Sequence, residues 1–217
     1  AVVLEVGLGG RLDATNVIEK PLVSVITRID LDHMAVLGDT VEKIAAEKCG
    51  IIKDGCPVVM LRDNLPAAAS VIKDFAARHG SRLIVPEIPD DITDKGLLGS
   101  EFYYRGMNIK VPLAGHHQVG NAATAIEAVL AAFPDVSPSA IESGIANVRF
   151  PARCEVISRE PLVLLDGSHN PNGTAALDGL LNSCGINNAV CIAGFMADKD
   201  VKDAFLNVAS HFKKAIT

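Results

Sequence analysis

Three side chains near the start of the chain have types and positions suited to metal and phosphate chemistry: Glu5, His33 and Lys48. Glu5 ends the apolar run AVVLEV (1–6), directly before the glycine-rich stretch GLGG. Loops of that kind cradle phosphates, which repel a carboxylate, so Glu5 needs another partner. The loop amides or Arg11 would serve, and so would Mg²⁺, which takes one or two carboxylates and keeps waters and phosphate oxygens. GLGG itself lacks the third glycine of a dinucleotide fingerprint and the Lys-Ser/Thr ending of a Walker A loop. His33, in TRIDLDHMAVLGDT, follows the run PLVSVIT (21–27), the place where open parallel sheets put their ligands. It reads either as a loop histidine bonded to backbone or as a ligand for a divalent cation. Lys48 lies four residues after Ile44 and seven after Val41 in the helical pattern 40–52, which sets its stem on the apolar stripe. It is either a snorkelling lysine or one kept uncharged by its surroundings, open to nucleophilic chemistry or to carbamylation by carbon dioxide.

A second group comes later. In the helical stretch 117–132, His117, Asn121, Ala125, Ala128 and Ala132 share one face, so Asn121 points into a protein contact or a bound group. Its amide offers a donor and an acceptor, as an adenine edge requires. Arg153 sits in PARCE, and DGSHNPNG (166–173) follows the run PLVLLD. Asp166 ends that run, and the turn after it presents amides and His169 to an anion, or serves simply as a helix cap. ADKD (197–200) repeats the arrangement less distinctively and reads by default as a solvated loop.

These residues need elements to hold them. Strands are predicted at 1–6, 21–27, 57–62, 82–86, 161–166 and 189–194, and helices at 40–52, 66–79, 117–132, 172–183 and 200–212. The alternation predicts an α/β fold with a mostly parallel sheet. Residues 102–113 read as a hairpin around a glycine turn, and KAIT as the opening of another strand. Pro151 stops a short helix before a new strand–helix series, so a domain boundary falls near 150: 1–150, then 151–217. With no starting Met, and with Ala1 inside an apolar run, the chain is expected to be a piece of a longer protein.

Composition excludes other classes. A net charge of -6, aromatics at 4% and no Trp argue against a nucleic-acid surface. No apolar run reaches the roughly 18–20 residues that cross a bilayer. Five cysteines without a C-x-x-C pair suggest neither a disulfide framework nor a zinc knuckle, and fit reduced thiols in a cytoplasmic protein.

In order and spacing, LEVGLGGRLDATN, LDH, EKCGIIK, HQVGNA, PAR and DGSHNP resemble the folylpolyglutamate synthase/dihydrofolate synthase family within the Mur ligase superfamily. The resemblance implies a central ATPase-type domain followed by a Rossmann-like C-terminal domain, both incomplete here. It implies an ATP-dependent ligase that activates a folate or dihydropteroate carboxylate as an acyl phosphate and joins it to glutamate. By motif position, Glu5 and His33 would bind Mg²⁺. Lys48, carbamylated, would bear on a second Mg²⁺. Asn121, Arg153 and Asp166 would hold ATP, His169 would lie near its phosphates, and Leu12, Asp13 and Ala14 would touch the pterin. The implied protein is a cytoplasmic monomer with small-molecule substrates, and neither nucleic acid nor membrane as partner. The family's P-loop lies upstream of residue 1 and the end of its C-terminal domain beyond residue 217, so this piece alone is expected to be inactive. Asp30 and Ser168 depart from the family's frequent Gly and Ala. The rival readings are a Mur-type ligase of peptidoglycan synthesis, a non-catalytic nucleotide-binding module and, disfavoured by GLGG, an NAD-dependent dehydrogenase.

Overall fold

The β-branched runs at 21–27, 57–62 and 82–86 supply a parallel sheet in a computed structural model that describes residues 1–195 and 201–216. Strand β1 is Ser24–Ile26, followed by helices α1 (Met34–Leu37) and α2 (Val41–Cys49), strand β2 (Val58–Met60), helix α3 (Pro66–Arg78) and strand β3 (Leu83–Ile84). The order is β1-β2-β3, all parallel, with Val25 opposite Val59 and Val59 opposite Ile84. β2 lies between the other two, which explains its unbroken apolar sequence and full burial. Thr40 caps α2 through the Lys43 amide, and Pro66 occupies the first turn of α3, where its missing N–H costs nothing. Ile44, Ala45 and Cys49 from α2 and Ala68 and Ile72 from α3 meet β1 and β2 in one core. Burial pushes the Cys49 thiol up to about 12, as befits an inert packing group.

These elements belong to a compact unit formed by Ala1–Ile88 and Gly120–Ser137. Helix α4 (His117–Ala132) lies in it from Gly120 onward. The buried stripe of α4 is Val119, Ala122, Ala123 and Ile126, at helical spacing, whereas Asn121 and Ala125 are exposed. Val119 and Ile126, having more apolar area to bury, set the core face of the helix together with Ala122 and Ala123.

The second unit comprises Pro89–Val119 and Pro138–Thr217. Strands β4 (Asp90–Asp94), β5 (Ser100–Tyr104) and β6 (Met107–Val111) form an antiparallel sheet. Arg105 and Gly106 both take positive φ in the β5–β6 hairpin, the two-residue geometry that matches strand twist. Helix α5 (Pro138–Ala146) packs on β6. Strands β7 (Glu155–Arg159) and β8 (Leu162–Leu165) pair antiparallel, followed by α6 (Pro171–Ser183), β9 (Ala189–Ile192), α7 (Val201–Val208) and β10 (Phe212–Ile216). β10 runs parallel to β9, and α6 packs on α7. The fold is thus α/β, with antiparallel sheets added to the parallel ones. All five cysteines are free, and no helix among the described residues is long and apolar enough to cross a membrane.

The predicted strand at 1–6 does not form. Its residues pair with no strand, and Val2 and Val3 stand 82% and 96% exposed. An apolar run becomes a strand only where a neighbour completes its ladder, and no described strand does so here.

Candidate active site

The glycine-rich loop is held from inside by its own anion. Asp13 accepts the amides of Gly7 (3.1 Å), Leu8 (3.0 Å) and Thr15 (2.9 Å) and the Thr15 hydroxyl (2.6 Å). These bonds, led by the Thr15 hydroxyl, bring its carboxyl down to about 2. Asp13 therefore takes the amides offered above as a possible partner for Glu5. Arg11, the other possibility, is committed to Glu47, its Nη2 and Nε lying 2.9 and 3.2 Å from Oε1. Glu5, exposed, is left with neither.

The loop docks on the end of α2. The Arg11 amide donates to the Glu47 carbonyl at 2.8 Å, and Asn16 Nδ2 donates to the Gly50 carbonyl at 3.0 Å. The approach is close enough that a methyl at Gly10 would lie 2.8 Å from the Glu47 and Lys48 carbonyls, and one at Gly50 would lie 2.4 Å from Arg11 Cα. Gly9, at φ 69°, sits against Leu37 of α1. Glycine here serves close backbone packing. The segments carrying Glu5, His33 and Lys48 consequently meet around Gly9 and Gly10. Lys48 is half-buried beside Ile44, Ala45 and Cys49. His33 adopts left-handed backbone geometry (φ 50°) before α1, with Nε2 3.8 Å from Asp32 Oδ1. Asn64 latches the chain between β1 and His33, accepting the Ile29 amide at 2.8 Å and donating to Thr27 and Leu61. A cavity of about 330 Å³ opens beside the loop, lined by Leu8, Leu12, Asp13, Ala14, Val36 and Glu47 among others. Leu12, 80% exposed, offers it an apolar side chain.

Among the described residues, no group of three or more His, Cys, Asp or Glu side chains is arranged to hold a metal ion. The donor set of an unengaged carboxylate at Glu5 and an exposed imidazole at His33 fits a cation that draws its remaining ligands from water and phosphate, as Mg²⁺ does.

In the second unit the PARCE turn and the DGSHNP turn are bonded together. The Gly167 amide donates to the Ala152 carbonyl at 2.7 Å. Asp166 Oδ2 accepts the Cys154 amide at 2.8 Å and its thiol at 3.3 Å, and Oδ1 accepts the Ser168 amide at 2.9 Å. Burial works to raise the Asp166 pKa, but the bonds from Ser168 and Cys154 outweigh it and hold the carboxyl below its ordinary range. The Cys154 thiol is pushed up to about 12 by burial and by the adjacent carboxylate. Ala152 and Cys154 both have positive φ (58° and 48°) on either side of Arg153, whose guanidinium lies 5.4 Å over the Phe150 ring. His169 is exposed, its Nδ1 3.1 Å from the Gly167 carbonyl oxygen. Asn170 caps α6, accepting the Gly173 amide at 2.8 Å, with Pro171 in the first turn. The cap reading of this turn is therefore fulfilled by Asn170, leaving His169 at the surface. Asn121 lies in the first unit and Arg153, Asp166 and His169 in the second. ADKD (197–200) lies outside the described residues.

Sequence reasoning missed Glu47, Asn64 and the Asp13 knot. Only the last had a local signal, the Asp-x-Thr spacing that lets a side chain bond the backbone two residues on.

The family model of the Mur ligase middle domain matches residues 1–129. The folylpolyglutamate synthase of Lacticaseibacillus casei is 40% identical over 210 residues, covering 91% of this chain and 48% of the relative. The dihydrofolate synthase/folylpolyglutamate synthase of Bacillus subtilis (strain 168) is 38% identical over 213 residues, covering 92% and 48%. A solved FPGS–AMPPCP–folate complex superposes with a TM-score of 0.89 at 36% identity, covering 98% of this chain and 54% of that one. The Mycobacterium tuberculosis folylpolyglutamate synthase complexed with ADP and AMPPCP gives 0.85 at 30% identity, covering 97% and 50%. The chain spans about half the length of the curated relatives it matches. With its parallel sheet and its glycine loop docked on α2, and with more than half of its residues matched, the chain belongs to the Mur ligase family through the middle domain.

Proposed function

We propose that the protein to which this chain belongs is an ATP-dependent ligase that joins L-glutamate to the carboxylate of a folate or dihydropteroate. One observation carries the reading: the glycine loop, anchored by Asp13, docks on α2 beside Lys48 and on α1 through Leu37, drawing the segments of Glu5, His33 and Lys48 together. The nucleotide analogue and folate named in the related complex support the substrate class.

In this reading the folate carboxylate attacks the γ-phosphorus of ATP, forming an acyl phosphate and ADP. The glutamate amine then attacks the acyl carbon, loses its proton and expels phosphate, leaving an amide. Bound Mg²⁺ would supply charge neutralisation where a carboxylate meets a triphosphate. Glu5 and His33 would hold one such ion, and Lys48, as a carbamate, would bear on a second. Asn121, Arg153 and Asp166 hold ATP, with His169 near its phosphates. Leu12 and Ala14 contact the pterin, while Asp13 keeps their loop in shape. The reading divides the chain near residue 150 into a central and a C-terminal domain, and the enzyme acts as a cytoplasmic monomer.

The test is ADP release by the full-length protein with ATP and glutamate. Release is expected with dihydropteroate or a folate. Release only with a nucleotide-linked muramyl acid would replace the folate reading, and release with neither would end it.

A further inference from the structure

We propose that Glu47 is a specificity-determining residue for the pterin, its Oε2 accepting the N–H donors of the ring's 2-amino-4-oxopyrimidine edge in the cavity beside the glycine loop; this rests on the folate reading given above. A pterin presents two flat apolar faces and, along one edge, the adjacent 2-amino and N3–H donors. That edge calls for an acceptor, and an ionised carboxylate is the strongest one a side chain offers. The cavity of about 330 Å³ supplies both features. Leu8, Leu12, Ala14, Val36 and Leu37 give it apolar walls, and its carboxylates are Asp13 and Glu47.

Counting bonds decides between the two. An ionised carboxylate has about four lone-pair sites. Asp13 uses them on its own loop: Oδ2 takes the Gly7 and Leu8 amides at 3.1 and 3.0 Å, and Oδ1 takes the Thr15 amide and hydroxyl at 2.9 and 2.6 Å. Glu47 is engaged on one side only. Arg11 Nη2 and Nε both fall on Oε1, at 2.9 and 3.2 Å, whereas a forked pair would occupy both oxygens. Among the described residues, Oε2 accepts no hydrogen bond.

The acceptor is also held in place. The Arg11 amide donates to the Glu47 carbonyl at 2.8 Å, and a methyl at Gly10 would lie 2.8 Å from that same oxygen. Loop and helix thus touch through their backbones at the residue that carries the acceptor, one position away from the Leu12 wall. A site fixed before its ligand arrives loses little freedom on binding. The ion pair alone is a weak reason for the carboxylate to be there. The Arg11 and Glu47 side chains are 56% and 29% exposed, and pairs in such settings add little stability.

The experiment compares two ligands on the full-length protein in the presence of a non-hydrolysable ATP analogue. One is dihydropteroate, and the other is its 2-methyl analogue, in which CH₃ replaces the 2-amino group. Equilibrium binding is measured for wild type, Glu47→Ala, Glu47→Gln and Asp13→Asn, with thermal melting alongside. Wild type should bind the amino ligand roughly tenfold more tightly, the scale of one hydrogen bond to a charged group. Glu47→Ala should bind the two ligands equally. Glu47→Gln, whose acceptor is uncharged, should narrow the ratio, and it decides the matter should Glu47→Ala fail to fold. Asp13→Asn should keep the ratio, because Asp13 acts on the loop and not on the ring. Both ligands weakened alike in the Glu47 variants, with the ratio intact, would reduce Glu47 to a partner of Arg11 and overturn the proposal. A ratio lost in Asp13→Asn but kept in the Glu47 variants would overturn it in favour of Asp13. Equal binding of both ligands by wild type would overturn the proposal and leave the folate reading standing, whereas binding of neither would end that reading and the proposal with it.

Discussion

Gly10→Ala probes the docking on which the site depends. The added methyl would meet three backbone atoms of α2: the Glu47 and Lys48 carbonyl oxygens at 2.8 Å and Lys48 Cα at 3.0 Å. None is a flexible side-chain end, so relief requires the loop to lift from the helix. That movement breaks the 2.8 Å bond from the Arg11 amide to Glu47. Overpacking costs about 1–3 kcal/mol and a lost hydrogen bond about 0.5–1.5 kcal/mol, so we expect a destabilisation of roughly 2–4 kcal/mol. The control is Gly144→Ala, in α5, where a methyl meets nothing within 4 Å. It should stabilise by about 0.5–1 kcal/mol through helix propensity. Urea unfolding of both variants gives the energies, and amide exchange at Arg11 reports the local event. A Gly10→Ala protein as stable as wild type, with Arg11 still protected, would refute the docking argument.

Four further outcomes follow from the same geometry. Lys48→Ala in the intact enzyme should cut turnover on the order of a hundredfold or more, the scale of a lost charge-stabilising group; near-normal activity would exclude the carbamate role. Arg153→Ala should raise the KM for ATP or lower kcat, and a change in neither would leave Arg153 a linker residue. Asn170→Ala should cost about 1 kcal/mol as a lost helix cap, measured by denaturation, with unaltered stability counting against the cap. Asp13 and Asp166 have folded-state values below their ordinary ones, so the unfolded chain gains protons first as pH falls. Their stabilisation is complete above about pH 4 and disappears as pH drops through the folded values. For Asp13, protection of the Gly7, Leu8 and Thr15 amides should persist until pH nears 2, and exchange that opens at pH 4 would contradict this.

The legible parts of the molecule were those written in local pattern. Helix α2 showed itself through Val41, Ile44 and Ala45, and the centre of the parallel sheet through Val58, Val59 and Met60. Residues 1–6 carried the same apolar signal, yet a strand also needs a partner, which no local pattern supplies. α4 was placed correctly, but its core face, set by Val119, Ala122, Ala123 and Ile126 while Asn121 stays exposed, was not drawn from the pattern. The candidate residues were named by type and motif, but their connections were not. Arg11 choosing Glu47 over Glu5, Asp13 occupying the loop amides, and Cys154 and Ser168 converging on Asp166 are meetings of segments that sequence spacing leaves undetermined.

The central claim is that Glu5 and His33 position a divalent cation for nucleotide-driven carboxylate activation. Its most direct test is the electron paramagnetic resonance of Mn²⁺ titrated into the full-length protein with a non-hydrolysable ATP analogue, comparing wild type with Glu5→Gln and His33→Ala. The account predicts a nucleotide-dependent Mn²⁺ site in wild type, weakened in both variants, with coupling to an imidazole nitrogen that vanishes in His33→Ala. Identical Mn²⁺ binding in all three proteins would contradict it.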